Sequence, residues 1–467
     1  MYNRMKKLSL GLTLLLFSIN VVAQNISTKL QRSFQQFESD SQMRNGIASL
    51  YVMDAKTGKV IFEKNGHIGL APASTQKIIT SITAYELLGK EFKYKTEFGF
   101  VNEGRPGDPL FIKGFGDPTF GSFRYAETKP EKIMGLFYEA LRKSGKDFTN
   151  QFLVDNFSFE SQLIPDGWIW QDIGNYYGAG ADGINWRENQ FDLTLRSGSK
   201  IGDPVEVVSV NGEKPGVYFI NELKSAAKGT GDNAYIYLPI GQPEPVVRGT
   251  IPVDENKFTI SGAVYDPSSY LIADFGKYFK SQSKTQFFGN TQTGYSKKKL
   301  SEPVTVLYTH YSPPLDSVIF WFNRRSVNLY GEALVKTFAW QKNGLGQTGE
   351  GVTIMRNFWK GKGMASTELG MVDGSGLSPL NRVTTHAQVH ILLHARKQAY
   401  FNGFYLSLPE FNGMKMKSGT IRGAKGFTGY HTSKDGSEYV FSFLVNNYNG
   451  SASGIVQKMY KVLDVLK

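Results

Sequence analysis

The feature that most constrains this chain is an interruption: a sheet begun near its N-terminus finds its remaining strands only near its C-terminus. Ile47–Asp54 alternates as a strand, Lys56-Thr57-Gly58 turns, and Val60–Lys64 runs back as a hairpin partner. Three further strand patterns that would complete that sheet come only at Gly413–Thr420, Ala424–Tyr430 and Tyr439–Asn446. Between them, from about Tyr94 to Pro303, short strand-like pieces alternate with Gly, Pro, Asn and Asp, and helices are expected only at Lys132–Ser144 and Ser268–Ser281. Some 200 residues is too long for a loop and reads as inserted domains. No period repeats along it, which excludes a solenoid. The expected organisation is a discontinuous core of residues 24–96 and 300–467, a domain of residues 97–190 and 251–299 inserted in it, and residues 191–250 nested inside that. Helices expected at Gln31–Met43, Asn328–Lys342, Thr384–Gln398 and Gly454–Leu466 suit an α+β core, with helices packed on an antiparallel sheet.

The first stretch with chemistry in it is Pro72-Ala73-Ser74-Thr75-Gln76-Lys77-Ile78-Ile79-Thr80. Ile78, Ile79, Ile82, Tyr85 and Leu88 follow at near-helical spacing, with Gly89 as a stop. Residues i and i+3 share a helix face, so the Ser74 hydroxyl and the Lys77 amine can touch. A serine needs an adjacent base to become a nucleophile, and a lysine can be that base once burial and positive surroundings keep it neutral. Four other S-x-x-K tetrads occur, at Ser197/Lys200, Ser225/Lys228, Ser281/Lys284 and Ser296/Lys299. None has a sustained apolar periodicity behind it.

Two later segments add polar groups. Ser326-Val327-Asn328 opens a helix; its hydroxyl could relay a proton and its carboxamide could meet a substrate amide, or both could simply cap the helix. Lys417-Ser418-Gly419-Thr420 ends a strand, where a lysine can hold a carboxylate and a glycine lets a ligand backbone approach. The Thr420 and Ser74 amides could then form an oxyanion hole. Ser209-Val210-Asn211 and Lys143-Ser144-Gly145 repeat two of these tripeptides in bland contexts, so neither is specific alone.

The charge balance is +12 with the positive residues scattered, and no basic run interleaves with aromatics, which argues against a nucleic-acid partner. A positive surface suits an anionic wall polymer or membrane face, or serves solubility alone. The absence of cysteine excludes disulfides, a thiol nucleophile and a cysteine metal site. Arg4, Lys6 and Lys7, the apolar run Leu8–Ile19 and Val21-Val22-Ala23 read as a cleaved export signal over residues 1–23, placing the mature chain in the periplasm or another extracytoplasmic space. His386, His390 and His394 recur every four residues with no acid between them, and read as one face of a packed helix; no metal and no cofactor are expected.

Ser-x-x-Lys, Ser-x-Asn and Lys-Ser/Thr-Gly in this order resemble the motif set of penicillin-binding proteins and serine β-lactamases. Together with Gly116-Asp117-Pro118 and Asp373-Gly374-Ser375-Gly376-Leu377-Ser378, they resemble the low-molecular-mass class C penicillin-binding proteins, which are D-alanyl-D-alanine carboxypeptidases/endopeptidases. The large insertion between the first two motifs is typical of that class. The resemblance implies a β-lactamase-like transpeptidase core, an antiparallel sheet flanked by helices, with a mostly β insertion. It implies Ser74 as acylated nucleophile, Lys77 as its base and Ser326 as proton relay. Asn328 would bind the substrate amide, Lys417 and Ser418 the terminal carboxylate, and Asp155 would come near the peptide's side chain. Asp373 would support the site as a turn or be purely structural. The implied partners are peptidoglycan stem peptides and β-lactam antibiotics as covalent inhibitors; a homodimer stays open. Ser418 departs from the commoner threonine but keeps the hydroxyl, and Pro379 stands where some members have an arginine. No Glu-x-x-Leu-Asn segment is present, which disfavours rapid antibiotic hydrolysis. A β-lactamase or esterase on the same fold, and an inactive wall-binding protein, are the alternatives.

Overall fold

The computed structural model describes residues 26–102, 108–146, 148–211, 219–241, 243–282, 294–301 and 303–467. The export signal expected at Met1–Ala23 lies outside the described residues. The chain divides into two compact units: one holds the described residues up to Ile82 with Arg356–Met371 and Pro379–Lys467, the other Thr83–Met355 with Val372–Ser378.

The first unit is built on one antiparallel sheet with strands in the order Glu410–Phe411, Met414–Ile421, Ala424–Thr432, Glu438–Asn446, Ile47–Asp54 and Val60–Lys64. Ile47 pairs with Asn446 and Asp54 with Tyr439, so both ends of the chain meet at its centre. The Glu438–Asn446 strand is buried along nearly its whole length, as a central strand covered on both faces must be. Its alternation sorts the two faces. Phe441, Phe443 and Val445 join Leu50 and Val52 in an apolar core with Leu30, Phe34 and Phe37 of the 26–38 helix and Ile455, Met459 and Val462 of the Ala452–Leu463 helix. Ser442 instead meets Gln388 on the Thr385–Arg396 helix. That helix starts where the Thr384 hydroxyl accepts from the Ala387 amide at 3.0 Å.

In the second unit a mixed sheet runs Gly294–Lys297, Phe148–Asp155, Asp108–Gly114, Lys95–Val101, Val304–Tyr311. The helices Pro130–Ser144 and Pro267–Gln282 cover it, presenting Ile133, Met134, Phe137 and Leu141, and Leu271, Ile272, Phe275 and Phe279, at i, i+3/i+4 spacing. Two three-stranded sheets made from strands between Gln190 and Ala263 share a smaller core around Leu193, Leu223, Val247 and Ile260. The Asn328–Asn343 helix is buried all round from Asn328 to Ala339 and ends in a left-handed cap at Gly344.

Among the described residues the helices Thr348–Gly361 and Phe401–Ser407, and the single turn Trp170–Ile173, escape the sequence patterns. The first carries Gly349, Gly351 and Gly361, which normally argue against a helix. Gly351 has a packing reason, since a Cβ there would fall 1.9 Å from the Val335 carbonyl oxygen.

Candidate active site

Ser74 does not open the α-helix directly, as its sequence context suggests. It lies in a 3-10 turn, Ala73–Gln76, and the α-helix runs from Lys77 to Leu88. The cause is Ala73, whose φ of 47° places a residue with a side chain in the left-handed region. Holding it there costs about 1–3 kcal/mol, which surrounding contacts must offset. The turn brings the fully buried Lys77 amine to 2.9 Å from the Ser74 hydroxyl.

Those surrounding contacts are polar and come from the sheet and the helix beneath. The Thr75 hydroxyl donates to the Pro72 carbonyl at 2.7 Å and accepts from the Gln388 amide at 2.9 Å. The Gln388 carbonyl accepts from Ser442 at 2.6 Å and from Thr428 at 3.1 Å. All four side chains are buried, so each hydrogen bond satisfies a group that would otherwise be stranded. Asn446 clamps the entry to the turn, accepting from the Ala71 amide at 2.8 Å and donating to the Ala71 carbonyl at 3.1 Å. None of Thr75, Gln388, Thr428, Ser442 or Asn446 stands out in the sequence. The only trace is a polar residue breaking the apolar run of a central strand.

The Met414–Ile421 strand packs on the same turn. A Cβ at Gly419 would lie 2.6 Å from the Pro72 oxygen, 2.8 Å from the Thr75 nitrogen and 2.9 Å from the Ser74 nitrogen. Glycine is therefore required by the protein's own Ala73–Gln76 turn. On this strand Lys417 pairs with Thr428 and Gly419 with Gly426, so Lys417 and Gly419 share a face, while Ser418 and Thr420 project to the other. The strand's outer neighbour, Glu410–Phe411, pairs only with Lys415 and Met414. Met416 turns its amide outward to the Pro409 carbonyl at 3.0 Å. Backbone groups alternate direction residue by residue, so Ser418 and Thr420 also aim theirs at this open edge. An extended peptide can pair there.

The electrostatics of the strand are one-sided. Lys417 is 2% exposed, and its amine donates to the Ser418 carbonyl at 2.8 Å. Burial pushes its pKa well below the usual lysine value, and the neighbouring Lys77 and Lys425 amines push it further. Burial also brings Lys425 down to about 8; its amine donates to the Thr420 hydroxyl at 2.6 Å.

The remaining expected residues belong to the second unit. Ser326 has a φ of 58° and links the Leu315–Arg324 helix to Asn328–Asn343. Asn328 is 7% exposed and donates to the Tyr177 carbonyl at 2.7 Å, which fixes the orientation of its carboxamide. Asp373 accepts from the Gly376 and Ser378 amides at 2.8 and 2.7 Å and from the Trp168 indole at 2.9 Å, holding its own turn. Gly374 presses on the Asn328 helix: a Cβ there would lie 2.2 Å from the Gly331 oxygen. The Asp155 carboxylate is 3.2 Å from the Lys113 amine and accepts from the Leu300 and Phe157 amides at 3.1 and 3.2 Å.

Residues 30–464 match the D-Ala-D-Ala carboxypeptidase 3 (S13) family, nearly the whole of the described chain. The chain belongs to that family. Among relatives of this S13 protein, the D-alanyl-D-alanine carboxypeptidase of Actinomadura sp. (strain R39) is 25% identical, over 92% of this chain and 83% of its own length. The D-alanyl-D-alanine carboxypeptidase DacB of Haemophilus influenzae is 21% identical, over 84% of this chain and 83% of its own. The crystal structure of penicillin binding protein 4 (dacB) from Haemophilus influenzae superposes with a TM-score of 0.73 at 18% identity, covering 95% of this chain and 98% of that one, so the two share a fold. This S13 member is thus a serine-type D-alanyl-D-alanine carboxypeptidase, a D,D-peptidase with an α+β penicillin-binding-protein fold.

Proposed function

We propose that this D,D-peptidase acts outside the cytoplasm on peptidoglycan stem peptides, as carboxypeptidase, cross-link endopeptidase or both, through an acyl-enzyme on Ser74. The observation that carries the assignment is the 2.9 Å contact between the Ser74 hydroxyl and the buried Lys77 amine, in a turn braced by a buried polar network. Lys77 takes the hydroxyl proton as the Ser74 oxygen attacks the carbonyl carbon of the penultimate D-alanine. The Ser74 and Thr420 amides receive the oxyanion. The C–N bond breaks, and a proton passed through Ser326 leaves with the amine of D-alanine or of a cross-linked strand. Water then adds to the ester, its proton returns through Lys77, and the shortened peptide departs.

Asn328 orients the scissile amide, and the open edge at Ser418 and Thr420 pairs with the peptide backbone. Lys417 and Ser418 bind the terminal carboxylate, a role supported by the positive charges of Lys77 and Lys425 near the Lys417 amine. Asp155 is assigned to the substrate side chain, on the strength of the family resemblance. Export by the Met1–Ala23 segment belongs to the same reading; among the described residues no helix is long and apolar enough to cross a membrane.

β-Lactams acylate the same hydroxyl in this scheme, as expected of a relative of a penicillin-binding protein crystallised with a β-lactam. Fluorescent penicillin should therefore label the purified protein stably, and Ser74→Ala should abolish both label and D-alanine release from a D-Ala-D-Ala peptide. A Ser74→Ala protein that still labels would exclude the assignment.

A further inference from the structure

On the Thr385–Arg396 helix, His386 and His390 lie nearly opposite Gln388, at about 200° and 160° around the axis. The face they form meets two residues that the sequence pattern does not connect with it. Glu368, only 8% exposed, turns one carboxylate oxygen to within 2.8 Å of His67 Nδ1 and the other to within 3.1 Å of His386 Nδ1. The His386 ring centroid is 4.3 Å from the His67 ring and 4.3 Å from the His390 ring. A nitrogen of His67, a nitrogen of His386 and an oxygen of Glu368 all lie within 4.8 Å of one another.

We propose that His67, Glu368 and His386, with His390 beside them, form a binding site for one divalent transition-metal ion of the zinc class. Zinc ligands stand about 2.0–2.1 Å from the ion, so neighbouring donors in a tetrahedral site are roughly 3.3 Å apart. The 2.8 and 3.1 Å nitrogen–oxygen separations are close to that spacing, and small rotations of imidazole and carboxylate open it to the ion.

The three carriers are held by backbone, not only by their side chains. The His386 amide donates to the Gly66 carbonyl at 3.0 Å, the Thr384 amide donates to the Glu368 carbonyl at 3.2 Å, and Leu70 and Val383 exchange hydrogen bonds at 3.1 and 2.8 Å. Such a frame fixes the donors before the ion arrives, which is what a site of useful affinity needs. Glu63 stands 3.7 Å from His67 Nε2 and supplies an outer carboxylate, the usual partner of a ligating imidazole. Metal ligation requires neutral imidazoles. A cleft of about 470 Å³ lined by these residues, Trp359 and Lys362 gives the ion a path from solvent. Imidazole nitrogen with one carboxylate selects zinc, nickel or copper over magnesium or calcium.

This site is independent of the Ser74 chemistry, so it can fail while the peptidase assignment stands, and the reverse. The test uses the mature chain without a histidine tag, stripped with EDTA and titrated calorimetrically with Zn²⁺. Co²⁺ serves as a spectroscopic probe. One ion per chain is expected, with visible absorption of ligand-field type from Co²⁺. His67→Ala, Glu368→Gln and His386→Ala should each weaken binding by more than the 10–100-fold typical of losing an outer-shell partner. His431→Ala, at a histidine outside the cluster, should bind like the parent. Penicillin labelling checks that each variant is folded. His67 is 59% exposed, so its replacement keeps the test decisive even where Glu368→Gln does not fold. Absence of stoichiometric Zn²⁺ binding, or binding unchanged in His67→Ala and His386→Ala, would overturn the proposal. The cluster would then be a carboxylate hydrogen-bonded to two imidazoles.

Discussion

Two buried lysines, one in each unit, are handled in opposite ways. Lys336 in the second unit has no exposed side-chain surface, and its amine is met by acceptors. It donates to the carbonyls of Gln162 and Ala181 and lies 3.8 Å from Glu160. Burial lowers its pKa, while Glu160, Asp182 and Glu332 act in the opposite direction. Lys417 in the first unit donates to the Ser418 carbonyl, and among the described residues the charges that shift it, Lys77 and Lys425, are both positive. A buried cation is tolerated when paired and is costly otherwise. Lys336 is therefore a fastener, completed by the fold. Lys417 is left incomplete, and an arriving carboxylate would supply what it lacks. The contrast teaches that burial alone does not tell two lysines apart; the sign of their surroundings does.

The sharpest way to break this contrast is to remove each charge in turn. Lys417→Met should lower kcat/KM on a D-Ala-D-Ala peptide by about 10²–10³-fold, the scale of losing one charge-assisted contact. Its melting temperature should hold or rise, because an unfavourably placed cation is gone. A folded Lys417→Met protein with undiminished kcat/KM would end the carboxylate role. Lys336→Met should do the reverse, losing about 2–4 kcal/mol of unfolding free energy in urea, since the buried Ala181 carbonyl and the Gln162 carbonyl lose their donor. Equal stability of that variant and the parent would show that Lys336 is no fastener.

A smaller effect is expected where the Lys417 strand meets the Ser74 turn. Gly419→Ala inserts a methyl 2.6–2.9 Å from three backbone atoms of the turn. Penicillin acylation should slow by roughly tenfold, the rate cost of about 1.4 kcal/mol, with the overall fold retained. An unchanged acylation rate would mean the turn can retreat without displacing Ser74.

A further effect, visible only in acid, concerns two groups whose charged forms burial disfavours. His310 is held by burial at about 4, and Asp117 is pushed up by burial to about 6. As pH falls from 6.5 towards 4, the unfolded chain protonates at His310 first, and stability declines. Over nearly the same range, from 6 towards 3.8, the folded chain protonates at Asp117 first, and stability rises. The two contributions nearly cancel in the parent. Asp117→Asn should uncover the histidine's share, adding about 2–3 kcal/mol of acid loss between pH 6.5 and 4 in urea titrations. Parallel profiles for variant and parent would show that the pair does not offset.

Much of this was legible in the residue pattern because it depends on local rules. The hairpin at Ile47–Lys64, the three C-terminal strands and the strand-rich span between them follow from alternation and turn residues. The i, i+3 spacing of Ser74 and Lys77 likewise forecast their contact. What stayed hidden depends on partners distant in sequence. Gln388 reaches Thr75 across 313 positions, and Glu368 reaches His67 across 301. No periodicity encodes such meetings. Gly419 was read as room for a ligand, whereas the crowding that requires glycine there comes from Pro72, Ser74 and Thr75. The 3-10 turn was missed because Ala73 carries no sequence sign of a positive φ.

The pairing of Ile47–Asp54 with Glu438–Asn446 also has a consequence for how the protein comes into being. Chain synthesis proceeds from the N-terminus, and contacts between distant segments form slowly. The serine and its lysine emerge early, but the strand bearing Gln388's partner Ser442, and the helix that seals the sheet from Ala452 to Leu463, are made long afterwards. A nascent polypeptide without these segments therefore cannot assemble the support beneath residue 74, and the turn that holds it is braced only once they have emerged.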